Sequence, residues 1–178
     1  MKPKGLLMIE HRLIERMFKV VESEINRIKT EGKPDNIFID MMVDFVRTYA
    51  DRTHHGKEDD ILFRDLAAKQ MIPKDQQGMQ KLTDDHIFAR KTVKELVEVK
   101  DAYMSGDMGK IATIVNKLQT LADFYPEHIR LEDKEFFPAT ERYFSQQELD
   151  TMLDEFLEFD RRMIHEKYKL IIEKMEGK

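Results

Sequence analysis

The sequence contains no cysteine among its 178 residues. This absence excludes disulfide bonds, thiolate metal ligands, iron–sulfur clusters and cysteine nucleophiles together. Any metal ion bound by the chain must therefore be held by imidazole and carboxylate groups, a ligand set that suits iron, manganese or zinc.

Long apolar runs and positive net charge are also lacking. No apolar segment approaches the ~20 residues that span a bilayer, and the N-terminus lacks the basic start, apolar run and small-residue cleavage site of a signal peptide. The formal net charge is −5, so we expect no basic face for nucleic acid. These absences predict a cytoplasmic protein with neither a membrane nor a nucleic-acid partner.

The residues that are present predict an ordered helical protein. Charged residues make up 37% and hydrophobic residues 41% of the chain, and its length fits one domain, residues 1–178. Apolar residues recur at alternating steps of three and four, as they do on one face of a helix. Helices are therefore predicted at about 5–31, 36–70, 75–103, from 111 to the Phe137-Pro138 pair, and at about 145–175.

The connections between the first four helices are short, which makes neighbouring helices antiparallel. The predicted fold class is all-α: an antiparallel up-down four-helix bundle at about 5–140 that encloses a metal site, plus a fifth C-terminal helix. Ser145 and Glu148 form a capping box that opens this fifth helix. Its apolar face is predicted to pack against the bundle or, as a homodimer, against a second chain. The residues of this face are Leu149, Met152, Phe156, Phe159, Met163 and Leu170.

Each of the four bundle helices carries one histidine within its apolar stripe. On the second and fourth helices an inward glutamate follows the histidine by four residues, which places both side chains on one helical face about one turn apart. Across each turn, an inward residue of one helix also lies at nearly the same distance from the turn as a histidine of the next, so all four helices should bring a histidine to one level. The matched residues are His11 with His54, Glu58 with His86, and His86 with His128. The inward residues are His11, His54, Glu58, His86, His128 and Glu132.

This layer of side chains has two interpretations. A lone histidine on an apolar face is more often a hydrogen-bonded core residue than a metal ligand, and the pairs could be chance patterns on solvated helices. Four histidines at one level with two carboxylates favour a metal site, because these groups buried without metal would lose their hydration and remain unpaired. Four imidazoles and two bridging carboxylates can hold two metal ions ~3.5–4 Å apart.

Several side chains outside these six also have an expected position. Two of them have two interpretations each, and the others are expected on the surface. His55 lies about 100° around the helix from His54 and is either an additional ligand or an edge residue. Tyr125 is either a hydrogen-bond donor to the ligand layer or a core aromatic, and His165 is expected on the surface of the fifth helix. The acidic residues that follow the two glutamates are expected on solvated faces: Asp59, Asp60 and Asp133.

Four segments together resemble the hemerythrin-like family, also described as HHE cation-binding domains. They are residues 10–16, 54–63, 85–90 and 128–138. The resemblance implies a four-helix bundle around an oxo- or hydroxo-bridged non-haem di-iron centre, with two iron ions expected ahead of manganese or zinc. It also implies roles for the six inward residues. The terminal imidazole ligands would be His11, His54, His86 and His128, and the groups bridging the irons would be Glu58 and Glu132.

The sequence departs from the oxygen-carrying hemerythrins at two positions. Those proteins have a second histidine four residues after the third-helix histidine, where this chain has Arg90, and their last motif ends in an aspartate five residues on, where this chain has Glu132 at four. Some hemerythrin-like proteins use the residue directly after the second-helix histidine as a ligand. Either one coordination position is open to water, or His55 supplies a fifth nitrogen.

The resemblance leaves three functions open. The first is binding of O2, NO or peroxide for sensing, storage or detoxification. The second is a di-iron oxidoreductase with catalase- or peroxidase-like or NO-processing activity, and the third is an iron-handling or regulatory protein. The expected partners are a small diatomic or peroxide ligand and, at the acidic surface, a basic redox protein.

Overall fold

The computed structural model describes the backbone of residues 2–175 and the side chains of residues 2–163, 165, 167, 169 and 172. Within these residues the chain forms five long helices and no strand. We call Pro3–Glu31 α1, residues 36–67 α2, Pro73–Met104 α3, residues 111–140 α4 and Gln146–Met175 α5.

The ends of the helices are set by a few local interactions. Gly32 adopts a φ of 67°, in the left-handed region that glycine tolerates, and its N–H donates to the carbonyl of Ile28 to end α1. The Asp35 carboxylate accepts from the N–H groups of Ile37 and Phe38, at 2.9 and 3.1 Å, and so caps the start of α2. Short turns therefore join antiparallel helices, as the sequence predicts.

Two of the helices change their winding in the middle of the bundle. Within α2, π-helical segments at Val46–His55 and Glu58–Phe63 follow the α-helical start Asn36–Phe45. Within α4, a π-helical segment at Glu132–Phe136 follows Ile111–Leu131. Because π-helical hydrogen bonds join residues five apart, successive side chains turn through less than the 100° of an α-helix.

The first four helices form an antiparallel bundle with two apolar clusters. α4 packs against α1 and α3, and α2 packs against α3. One cluster fills the end of the bundle that contains the α1–α2 and α3–α4 turns, and includes Phe18, Val43, Val93 and Leu118. The other fills the opposite end and includes Leu7. The predicted fold class is confirmed.

α5 packs across α1 and α2 of the same chain. Met152 and Phe156 are at most 1% exposed, and Phe159 lies so close over Gly56 of α2 that a Cβ at Gly56 would be 2.8 Å from the Phe159 ring. The predicted apolar face of α5 thus covers the bundle, except that the side chain of Leu170 lies outside the described residues. The capping box is also present: the Glu148 carboxylate accepts from the N–H of Ser145 at 2.7 Å.

In the part of the chain that the structure describes, no helix combines the length and apolarity required to cross a membrane.

Candidate metal centre

Seven side chains from all four bundle helices converge between the two apolar clusters. Each is at most 3% exposed, because apolar residues close the layer above and below it. α2 contributes three of them from its π-helical segments, α4 two, and α1 and α3 one each. The seven are His11, His54, His55, Glu58, His86, His128 and Glu132.

The donor atoms of these side chains fall into two groups. Within each group, all of the donor atoms lie within 4.8 Å of one another, a spacing that suits ligands of one ion. One group consists of two histidines and both glutamates, and the other of three histidines. The first group is His11, His54, Glu58 and Glu132, and the second is His55, His86 and His128.

Both glutamates face both groups. Oε1 of Glu58 lies 3.6 Å from Nε2 of His54, and its Oε2 lies 3.4 Å from Nε2 of His86. Likewise, Oε2 of Glu132 lies 3.1 Å from Nε2 of His11, and its Oε1 lies 3.3 Å from Nε2 of His128. Each carboxylate therefore presents one oxygen to the two-histidine position and one to the three-histidine position, as a bridge between two metal ions requires.

A metal pair would satisfy the polar atoms of this layer. The inward Nε2 of all five histidines and all four oxygens of Glu58 and Glu132 are buried and have no hydrogen-bond partner within the described residues. Leaving buried polar atoms unpaired costs about 1–3 kcal/mol for each neutral group and more for a carboxylate. Two cations at the centre would give these donor atoms the partners that the protein does not provide.

His55 joins this layer, so the edge-residue interpretation does not describe its position. Its ring is 1% exposed and stacks on that of His86 at 3.9 Å between centroids. An ideal α-helix would separate the directions of His54 and His55 by 100°. The π-helical winding of Val46–His55 narrows that angle, and the two neighbouring side chains reach different metal positions.

The outward nitrogens of four histidines face a carboxylate on the preceding helix, in cyclic order around the bundle. Three of these pairs are hydrogen bonds that fix the imidazole ring with its Nε2 pointing inward. The pairs, with their Nδ1 to oxygen distances, are Glu10–His54 at 2.8 Å, Asp59–His86 at 2.8 Å, Asp85–His128 at 3.5 Å and Asp133–His11 at 2.8 Å. The fifth histidine, His55, faces Asp51 of its own helix at 3.5 Å.

These backing carboxylates correct the expectation that residues next to the two glutamates are solvated. Asp133 is 7% exposed and Asp59 is half-buried, and both hydrogen-bond to a histidine of the layer. Only Asp60 of the three is exposed, as expected. The sequence signal that could have identified these carboxylates is an acidic residue next to an inward histidine or glutamate. The sequence does not show which histidine such a residue faces, because that histidine belongs to another helix.

Each backing carboxylate is in turn held by a cation. Arg12 pairs with Asp133, Lys81 with Asp85, and the fully buried Lys57 with Glu10. The Lys57 ammonium also donates to Asp160 of α5 at 2.6 Å, which connects α5 to the ligand layer. Arg90 pairs with both Asp51 and Asp59.

The pKa values of the histidines in this layer shift in opposite directions. Burial lowers the pKa of His11, but Asp133 and Glu132 outweigh it and raise the pKa to about 10. For His86 the carboxylates of Asp59 and Glu132 similarly overcome burial and raise the pKa to about 11. Burial holds the pKa of His54 well below its ordinary value, because the cationic form would lose its hydration there.

Two other residues singled out in the sequence lie outside the ligand set. Tyr125 is 1% exposed and stacks on Phe18 at 4.2 Å, but its hydroxyl has no hydrogen-bond partner within the described residues. The Tyr125 ring is thus part of the apolar core, and its hydroxyl donates to no described residue of the layer. His165 is exposed on α5.

The fold and this layer define a helical bundle with two adjacent groups of donors that could each hold a metal ion. The family model for the hemerythrin HHE cation-binding domain matches residues 3–140, which span all four bundle helices. The chain therefore belongs to the hemerythrin HHE cation-binding family. No curated protein and no solved structure matches it.

Proposed function

We propose that the chain binds two iron ions and takes up O2, or a related ligand such as NO or peroxide, for sensing, storage or detoxification. The observation that carries the proposal is the unequal number of donors at the two positions. His55, His86 and His128 with one oxygen from each glutamate make five protein donors, whereas His11 and His54 with the same two glutamates make four. With a shared oxygen bridge, a six-coordinate ion would be complete at the first position and open at the second.

The donor set supports iron over the alternatives. Imidazole suits iron, whereas manganese favours carboxylate and water ligands, and zinc in proteins usually has four tetrahedral ligands. A position with three imidazoles and two carboxylate oxygens has more nitrogen than manganese prefers and more ligands than zinc requires. When bound, the iron pair would supply an open coordination position and two one-electron redox steps.

The surroundings support a small ligand. Apolar clusters lie above and below the layer and exclude bulk water from it. A cavity of about 90 Å³ between α2 and α3 is lined by Val46, Ala89, Val93 and Tyr125, with Asp51 and Arg90 also on its wall. The Tyr125 ring is parallel to that of His55 at 6.4 Å, so this cavity lies beside the three-histidine position. A space of this volume suits diatomic molecules or a few waters.

The protein's own residues would keep the site ready for a ligand. Hydrogen-bonded carboxylates hold the Nε2 atoms of His11, His54 and His86 toward the centre, and the two glutamates would hold both ions. The ligand thus meets a geometry that is already formed, and little reorganisation accompanies its binding.

The test is anaerobic reconstitution with two ferrous ions, followed by separate exposure to O2, NO and H2O2 while absorbance and gas evolution are recorded. A new absorption band that disappears on deoxygenation supports reversible binding. Sustained O2 release from peroxide contradicts a pure binding role and supports the oxidoreductase alternative. No reaction with any of the three ligands contradicts both and leaves iron handling.

Elemental analysis of variants tests the ligand set independently of the reaction. Glu58→Ala and Glu132→Ala should each lose at least one metal, because each removes a bridge to both positions. His165→Ala is the matched control, since its ring is exposed, and its metal content should remain unchanged. Retention of two irons by either glutamate variant contradicts the bridging roles.

A further inference from the structure

Arg90 contacts two carboxylates that both stand behind histidines of one metal position. Its Nε donates to Oδ1 of Asp51 at 2.7 Å, and its Nη2 donates to Oδ2 of Asp59 at 2.8 Å. Oδ1 of Asp59 accepts from Nδ1 of His86 at 2.8 Å, and Oδ1 of Asp51 lies 3.5 Å from Nδ1 of His55. One guanidinium thereby reaches two of the three histidines of the three-histidine position.

This arrangement differs from that of the other cations around the layer. Arg12, Lys57 and Lys81 each hold one of the carboxylates that face a histidine, although Lys57 also reaches Asp160. Arg90 holds two such carboxylates through different nitrogens of its planar fork, a geometry that a lysine ammonium cannot reproduce as well. Of these four cations, Arg90 alone therefore contacts two carboxylates that face histidines of the same metal position.

We propose that Arg90 is a positioning residue that sets the affinity of the three-histidine position and leaves the two-histidine position unaffected. The inference rests on the proposed pair of metal ions and names a determinant of one of them. Arg90 lies one helical turn after His86 on the same face of α3. From there it contacts Asp51 and Asp59 of α2, and Asp59 is also the carboxylate that faces His86. α3 thus contributes His86 directly and, through Arg90, holds Asp51 at 3.5 Å from Nδ1 of His55 on α2.

The physical basis is the orientation and basicity of the imidazoles. A carboxylate fixed behind Nδ1 keeps the ring from rotating and increases electron density at Nε2. Without Arg90, Asp51 and Asp59 would face each other's charge without compensation and could rotate toward solvent, since both are only half-buried. Loss of groups that orient metal ligands typically weakens metal affinity by about 10–100-fold, and we expect about tenfold here because the carboxylates themselves remain.

A structural role predicts a different outcome. Arg90 is 44% exposed at its side chain, and ion pairs of such residues contribute little to the stability of the fold. Thermal unfolding of the metal-free Arg90→Gln protein should therefore match that of the metal-free unsubstituted protein. The increase in melting temperature on adding metal should be smaller for the variant.

The experiment compares Arg90→Gln with Arg12→Gln, a matched control at a half-exposed arginine that holds Asp133 behind His11 at the other position. Each protein is titrated anaerobically with Co²⁺ while its absorption bands are recorded. Bands that are lost in His86→Ala and retained in His11→Ala are assigned to the three-histidine position. We expect Arg90→Gln to bind about tenfold more weakly at the three-histidine position alone, and Arg12→Gln to weaken the two-histidine position alone.

Proton NMR of the Co²⁺-loaded proteins reports on the individual imidazoles. The Nδ1–H signals of the ligands are shifted by the paramagnetic ion and exchange with water at a rate that depends on their carboxylate partners. Arg90→Gln should shift and broaden the signals of His55 and His86 and leave that of His11 unchanged.

In the Co²⁺ titration, Arg90→Lys should restore part of the affinity lost in Arg90→Gln, because its single ammonium can pair with one carboxylate at a time.

The outcomes separate this inference from the proposed function. If the unsubstituted protein binds fewer than two Co²⁺ ions, the paired metal site itself is wrong, and the inference fails with it. If it binds two and Arg90→Gln binds both with unchanged affinity, or loses both equally, only the role of Arg90 is overturned.

Discussion

Nδ1 of His11 lies 2.8 Å from Oδ1 of Asp133, and this contact joins the first helix of the bundle to the last. It closes a circuit in which each bundle helix supplies the carboxylate that faces the histidine of the next. The circuit passes through the same level as the candidate ligands. Helix packing and ligand orientation are consequently set by one group of contacts, and a change at one carboxylate should act mainly on the histidine that it faces.

Asp133→Asn tests this local action. The amide oxygen can still accept from His11, but it lacks the charge that raises the basicity of the ring and pairs with Arg12. We expect metal affinity at the two-histidine position to fall by about 10–100-fold, measured by Co²⁺ titration. Glu135→Gln is the control, because it removes a negative charge from the same segment at an exposed side chain. Equal effects of the two variants would reduce the role of Asp133 to its charge alone.

Gly56→Ala should destabilise the protein even though alanine favours a helix. The added Cβ would lie 2.8 Å from the end of the Phe159 ring, and overpacking of this kind costs about 1–3 kcal/mol. The helix gains about 1 kcal/mol from alanine, so a net loss of about 1 kcal/mol is expected in urea unfolding. In the Phe159→Leu background the clash is relieved, and the same substitution should become neutral or stabilising. Destabilisation that persists there would place the conflict elsewhere.

Lys57→Met should be among the most destabilising single substitutions in the chain. Methionine fills a similar volume, but Glu10 would remain buried without its cation, a loss that costs about 3–5 kcal/mol. Burial raises the pKa of Glu10 to about 7 even though Lys57 lowers it, so part of this cost would appear as uptake of a proton by Glu10. Thermal and urea unfolding measure the effect.

The matched control for Lys57→Met is Lys167→Met. Lys167 forms a more exposed ion pair with Asp44 at 2.7 Å that also joins α5 to α2, and its loss should cost no more than about 1 kcal/mol. The double variant Lys57→Met/Glu10→Gln should lose less stability than Lys57→Met alone, since it removes the uncompensated charge. An additive double variant would show that the two groups are not coupled.

Metal binding should release protons and strengthen as the pH rises. The neighbouring carboxylates raise the pKa values of His11 and His86 to about 10 and about 11, so we expect both rings to carry a proton at pH 7 before metal binds. Both must lose that proton to bind a metal, and loading of the site should release about two protons at pH 7. Affinity should keep rising until the pH passes those values. Calorimetry in buffers of different ionisation enthalpy counts the protons, and a buffer-independent enthalpy would contradict the assignment.

The level of the ligand layer could be predicted from the sequence because it depends on regular geometry. Three pairs of inward residues lie at matched distances from the short turns between their helices, and the constant rise of a helix converts such distances into height. The pairs are His11 with His54, Glu58 with His86, and His86 with His128. The apolar stripes on both sides of each histidine also predicted which side chains point inward. These arguments require only periodicity and antiparallel neighbours, both of which the structure contains.

The position of His55 and the backing carboxylates could not be predicted in the same way. His55 reaches the layer because α2 is π-helical at that point. The sequence pattern of Val46–His55 does not predict that change of winding. Asp59 and Asp133 face histidines of other helices, so their partners depend on the rotation and separation of helices rather than on spacing along one helix. Patterns along a single segment contain no information about those quantities.

The part-buried contact between Lys57 and Asp160 affects where this protein can be divided. The family match ends at residue 140, but Asp160 of α5 shares the ammonium that also pairs with Glu10, which faces His54. A fragment cut at the family boundary would keep every candidate ligand and yet lose a counter-charge of the layer. For this chain, the unit to transplant into another protein is therefore the bundle together with α5. The shorter fragment would leave the Lys57 ammonium with Glu10 but without Asp160, and it would uncover the face of the bundle on which α5 packs.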